Sequence, residues 1–202
     1  MPSLTLRAPR SSASEGWSGR GMLAGNEVRM KGVGVMYAEM TLPEFEREMV
    51  VTRKVLERVP EDRLDFKPCE KSNTIGWNAN HLAEIPGWAA NILTEPFFDM
   101  NPSGNEPYRS PTFRTRAEML ALFDANVAAA VRALKGFKDS AVGEAWQFKE
   151  TGKTLFEMTR AAAFRMWVIS HTIHHRAILT AYYRMVGVAV PAVYGPSGDE
   201  QG

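Results

Sequence analysis

One helix-starting signal is written three times along this chain, and it restricts what the chain can become. Thr41-x-x-Glu44, Thr115-x-x-Glu118 and Thr154-x-x-Glu157 each place a hydroxyl that can accept from the backbone N–H three residues on, while the glutamate reaches back to the threonine N–H. Such a cap contributes ~1 kcal/mol, and apolar residues at three- and four-residue steps follow each one. The first predicted helix runs from Leu42 to about Val59, stopped by Pro60, with Pro43 in its first turn, where a missing N–H costs little. Its inward stripe is Phe45, Met49, Thr52, Val55, Leu56 and Val59. A second helix, from Ser72 or Thr74 to about Leu93, carries Asn78, His81, Leu82, Ile85 and Trp88 on one face, with a bend expected at Pro86. The third spans about Arg116 to Leu134 and stops at Gly136. The fourth and longest is expected from Leu155 to about Val186, ending at Gly187.

Two stretches between helices carry other signals. Residues 96–114 hold four prolines and read as a long loop covering one end of the molecule. Residues 145–153 (AWQFKETGK) read as a loop in preference to a short hairpin around Thr151-Gly152. Four amphipathic helices without a convincing sheet give an all-α fold, a four-helix bundle. Residues 1–35 are rich in Ser, Gly and Arg and show neither period, so they read as a flexible N-terminal leader ahead of one domain at residues 36–202. An organelle transit peptide has a similar composition, and Met36 offers an alternative start.

Composition narrows the partners. With 24 basic and 23 acidic side chains the net charge is +1, so no global field draws the chain to nucleic acid or an anionic membrane, and a small-molecule partner is expected. The start has no apolar core with a small-residue cleavage site, and no stretch reaches the ~20 apolar residues of a membrane span, so a cytoplasmic location is the default. Cys69 is the single cysteine, which removes intrachain disulfides and cysteine-cluster metal sites. Nothing beside Cys69 in the sequence lowers its pKa, and it reads as inert.

Any metal must then use histidine or carboxylate, and the four histidines fall in only two segments. His171 and His175 are four residues apart, which on a helix puts both imidazoles on one face, ~5–6 Å apart at Cβ. His81, on the inward stripe of the second helix, is the third candidate ligand. His174 lies about 100° around the helix from His175 and reads as a neighbour of the site. A lone buried histidine is commonly a hydrogen-bonded core residue, but three inward ones on two helices make a shared divalent metal the better reading. Three nitrogen ligands leave a coordination position for water or substrate, as catalytic sites do. Imidazole suits several metals; zinc or nickel head the expectation, with iron or manganese behind them. Asn78 and Glu84, three residues either side of His81, are candidates to orient a ligand, set against ordinary hydrogen-bonding roles. Arg176 reads as half of a structural ion pair, and Trp77, Trp88, Trp167, Tyr182 and Tyr183 as core or interface aromatics.

Asn80-His81-Leu82-Ala83-Glu84, His171-Thr-Ile-His-His175-Arg176 and the trailing Tyr183-Arg184-Met185-Val186-Gly187-Val188-x-x-Pro191 together resemble the DinB/YfiT-like family, regarded as metal-dependent four-helix-bundle enzymes. The resemblance covers about residues 40–195. It implies a four-helix bundle, frequent homodimers, and a divalent metal held by one histidine of the second helix and an HxxxH pair of the last, which fall on His81, His171 and His175. The family often continues HHRGQ where this chain has His174-His175-Arg176-Ala177-Ile178, so neighbours that would touch substrate do not carry over. Some members resemble thiol-dependent transferases or isomerases. The expected function is therefore a metal-dependent enzyme in which the metal activates a low-molecular-weight thiol or water, an S-transferase, isomerase or hydrolase. The alternative is a non-catalytic bundle in which the ion has a structural or stress-response role.

Overall fold

The computed structural model describes residues 36–201, and the expected leader at residues 1–35 lies outside the described residues. The long helices are α1 (Tyr37–Leu56), α2 (Ile75–Thr94) and α3 (Arg116–Gly136). The last helical run is α4 (Arg160–Phe164), a π-helical segment (Arg165–Ser170) and α5 (His171–Met185), with helical backbone at both junctions. α2 packs on α3 and α5, and α1 packs on the same two. Burial of Phe45, Leu56, Ile75, Leu82, Phe123 and Leu179, all with no more than 1% of their surface exposed, makes the shared core. Each such side chain contributes ~1.5–3 kcal/mol by leaving water. No helix among the described residues is long and apolar enough to cross a membrane.

Two of the three expected helix starts differ from the spacing rule. Thr115 caps α3 in full, accepting from the Glu118 N–H at 3.3 Å while the Glu118 carboxylate takes the Thr115 N–H at 3.3 Å. Helix α1 instead begins at Tyr37, four residues before Thr41, and Pro43 lies within it. The extra turn is held from outside: the Tyr37 N–H donates to Asp139 Oδ1 at 2.8 Å, and its ring meets Phe137 edge-on at 5.7 Å. Helix α2 is capped by Thr74, whose hydroxyl accepts from the Trp77 N–H at 3.1 Å, and runs through Pro86 without breaking. Beside that proline, Asn126 of α3 donates to the carbonyls of Ala83 and Glu84 at 3.0 and 3.4 Å. Gly87 permits this approach, because a Cβ there would stand 2.8 Å from Asn126 Oδ1.

The expectation of an all-α chain is corrected by a three-stranded sheet. β1 (Phe97–Asp99) pairs in parallel with β2 (Ala145–Glu150), which pairs antiparallel with β3 (Lys153–Thr159). Residues 145–153 are thus the first arm and turn of a hairpin, not a loop. Thr154-x-x-Glu157 lies in a strand, and the last helix begins at Arg160, capped by Thr159, whose hydroxyl accepts from Ala162 N–H at 3.2 Å. The reason is a period of two: Trp146 and Phe148 on one strand face Met158 and Phe156 on the other, with the rings of Phe148 and Phe156 stacked at 4.9 Å. Thr151 (φ 50°) and Gly152 (φ 77°) both take the left-handed backbone that a two-residue turn requires. Asp99 of β1 accepts from the N–H groups of both, at 3.0 and 2.7 Å, and fastens the turn.

Candidate metal centre

Helix α2 presents His81, and α5 presents His171 and His175. The Nε2 atoms of His81 and His171 stand 3.1 Å apart, and one nitrogen from each of the three rings lies within 4.8 Å of the others. A 3.1 Å separation suits a hydrogen bond between two neutral imidazoles. It also suits two ligands of one ion, because nitrogens ~2.0–2.1 Å from a tetrahedral zinc lie roughly 3.3 Å apart. His174 is exposed, its ring centroid 6.5 Å from that of His171, and it stands outside the cluster.

The chemistry of the surroundings fits a cation. Asn78 Nδ2 donates to the Thr74 carbonyl at 2.9 Å, which fixes the amide so that its Oδ1 faces His175 Nδ1 at 3.1 Å. An acceptor there puts the His175 proton on Nδ1 and leaves the Nε2 lone pair bare. Burial, with the neighbouring rings of His81 and His174, pushes the His171 imidazole down to about 4. Burial and the rings of His81, His171 and His174 push His175 down to about 3. Both are therefore neutral near pH 7, the form that binds a metal. Glu84 lies behind His81, with Oε2 3.4 Å from Nδ1, and neither of these buried atoms has a partner in hydrogen-bond geometry. Burial pushes the Glu84 carboxyl up, but His81, Tyr108 and Ser110 together hold it below the usual range. Among the described residues no Lys or Arg pairs with it. A buried carboxylate stands here beside a cluster in which His171 and His175 are both neutral, and a cation at the three rings would answer its charge.

Residues 36–201 match the family described as DinB. The chain belongs to the DinB family. A DinB-like protein from Bacillus cereus ATCC 10987 has a similar fold, with TM-score 0.56 and 21% identity over 76% of this chain and 95% of that one. The DinB-like protein YjoA of Bacillus subtilis is similar too, with TM-score 0.57 and 19% identity over 76% of this chain and 96% of that one. At these identities the likeness is one of fold. No curated protein matches the chain.

In this DinB-family chain the three imidazoles sit among indole rings that the sequence reading assigned to core or interface. Trp77 stacks on His81 with centroids 4.6 Å apart, Trp88 meets His81 and His171 edge-on at 5.3 and 5.4 Å, and Trp167 lies 5.6 Å from His171. A spacing signal was present: Trp77 precedes His81, and Trp167 precedes His171, by four residues each. Tyr108, from the long loop, carried none; its hydroxyl donates to Glu84 and its pKa is pushed up, first by burial and then by that carboxylate. The π-helical segment, a form often found at functional positions, ends immediately before His171. Arg176 is the expected structural half-pair, with Nη2 2.7 Å from Glu48 Oε2. Cys69 is exposed, and hydrogen bonds from Ser72 and the Lys71 backbone lower its thiol pKa, contrary to the expectation of an unperturbed group.

Proposed function

We propose that His81, His171 and His175 hold a divalent metal, zinc or nickel before iron or manganese, and that this DinB-family protein is a metal-dependent enzyme acting on a small molecule. The observation that carries the reading is the convergence of three ring nitrogens within 4.8 Å, two of them on imidazoles kept neutral by burial. A bound divalent cation would lower the pKa of a thiol or water at its open position and make it a nucleophile. The chain's own residues prepare for that. Asn78 fixes the tautomer of His175, Glu84 stands where it can accept from the Nδ1–H of His81, Tyr108 holds Glu84 in place, and Trp77, Trp88 and Trp167 pack against the imidazole rings. The family resemblance favours a low-molecular-weight thiol as the nucleophile, hence S-transfer or isomerisation, with hydrolysis by activated water as the other outcome of the same site.

Elemental analysis of untagged protein tests the first half of the proposal: one metal per chain in the wild type and none in His81→Ala is the expected result. The cobalt form tests the second half. Its visible spectrum should shift when thiol or azide is added, and thiol addition to a small electrophile should lose its metal dependence in His175→Ala. A cobalt spectrum blind to both additives, with a melting temperature raised by the metal, would instead mark the ion as a staple between α2 and α5.

A further inference from the structure

His81 has a second exposure beyond the metal cluster: it forms part of the wall of a cavity of about 390 Å³ whose other residues come from α2, the long loop, the sheet and the π-helical segment. That volume falls in the range of small-molecule sites, roughly 300–1,000 Å³. Trp88, Phe98, Tyr108, Trp146, Phe148 and Trp167 line it, and among the described residues no Asp, Glu, Lys or Arg does. Three polar side chains on these walls are engaged already, while the buried Trp167 Nε1–H has no partner and offers one neutral donor. Tyr108 donates its hydroxyl to Glu84, Trp146 donates its Nε1–H to Asn91 Oδ1 at 3.1 Å, and Asn91 Nδ2 donates to the Phe97 carbonyl at 3.3 Å. A charged guest would lose its water without a counter-charge, which is costly. The rings offer instead ordered aromatic surface: Phe148 lies within 11° of parallel to Trp167 and within 26° of parallel to Phe98. Trp88 and Trp167 belong to this cavity and also touch His171, so the aromatic wall continues into the histidine cluster.

The geometry points to an uncharged, flat aromatic small molecule as the occupant of this cavity, lying with one edge at His81. It is thus the electrophile or acceptor of the proposed reaction, while the activated thiol or water takes the histidine side. That assignment of roles rests on the proposed function; the preference of the cavity for a flat neutral ring does not.

Calorimetric titration of the full chain, zinc-free and zinc-loaded, with three molecules of one skeleton separates the two. The probes are 2-naphthol, its charged relative 2-naphthoate, and the saturated decahydro-2-naphthol. Zinc-free protein should bind one 2-naphthol per chain, at least about tenfold more tightly than either relative, the naphthoate losing to desolvation and the saturated ring to poor stacking. Met100→Trp, which fills the cavity, should weaken 2-naphthol by about tenfold or more while zinc stoichiometry is kept. Ile92→Trp, on the α2 wall of the cavity, replaces it if circular dichroism shows the first variant unfolded. His175→Ala should lose zinc and keep 2-naphthol. Absence of saturable 2-naphthol binding, equal affinity for naphthoate or for the saturated ring, or full affinity in the filled variants overturns the inference. Loss of zinc binding with the naphthol pattern intact would sink the metal reading and leave the cavity assignment standing.

Discussion

His175 and Arg176 are neighbours on α5 and both are buried, yet their surroundings are opposite in kind. Arg176 is 3% exposed and both terminal nitrogens of its guanidinium are answered: Glu48 Oε2 at 2.7 Å, Thr52 Oγ1 at 3.0 Å, the Glu48 carbonyl at 3.2 Å and the Tyr194 hydroxyl. This region ties α1 to α5 and to the C-terminal segment, and its charges cancel. One residue earlier, the imidazoles face each other's nitrogens, Glu84 faces an imidazole at 3.4 Å in place of a cation, and two buried polar atoms lack partners. Satisfied buried polar groups fix a fold, whereas unsatisfied ones are costly and call for a physical reason such as a bound ion or water. The contrast separates a satisfied structural cluster from a candidate metal centre on a single helix without reference to any relative.

The comparison can be broken most forcefully from the Arg176 side. Glu48→Ala strands a buried guanidinium and should cost about 3–5 kcal/mol in urea denaturation of metal-free protein. A loss below 1 kcal/mol, the level of an exposed pair, would contradict the structural role. His171→Ala should show the reverse: little change or a gain in metal-free stability, but a fall in zinc affinity beyond the roughly 10–100-fold that orienting partners are worth. Competition with a chromophoric chelator reads this directly. Asn78→Ala keeps all three ligands and frees the His175 tautomer, so the same titration should give a smaller drop, about 10–100-fold. If zinc affinity is untouched, Asn78 is only a helix residue.

Acidification probes the same histidine cluster without a substitution. His171 and His175 have folded-state values pushed from 6.5 to about 4 and about 3. The unfolded chain therefore binds more protons in the interval between, and metal-free stability should fall as pH drops below about 6.5 and level off near pH 3–4. Melting temperatures across that range check the direction, and His171→Ala should flatten the slope.

Much of this could be read before any coordinates. Caps at Thr74 and Thr115, the stop at Gly187 (φ 74°), the buried stripe of α1 and the convergence of His81 with His171 and His175 follow from spacing, because they depend on residues three or four apart or on which side of a helix is apolar. Spacing misled at Thr154-x-x-Glu157, where the helix signal is real but weak, and at Thr41, where it is bypassed. A cap is worth ~1 kcal/mol, less than the stacking of Phe156 on Phe148 together with a strand's worth of ladder bonds.

The sequence by itself determined the helical rods and the three imidazoles, since each is specified within a few neighbouring residues. Only the tertiary structure decided that residues 145–159 pair as a hairpin, that β1 joins them from nearly fifty residues away, and that indoles from α2 and the π-helical segment close around the histidines. Strand pairing and aromatic enclosure are set by partners distant in the chain, whose contact energies exist only after the helices have packed.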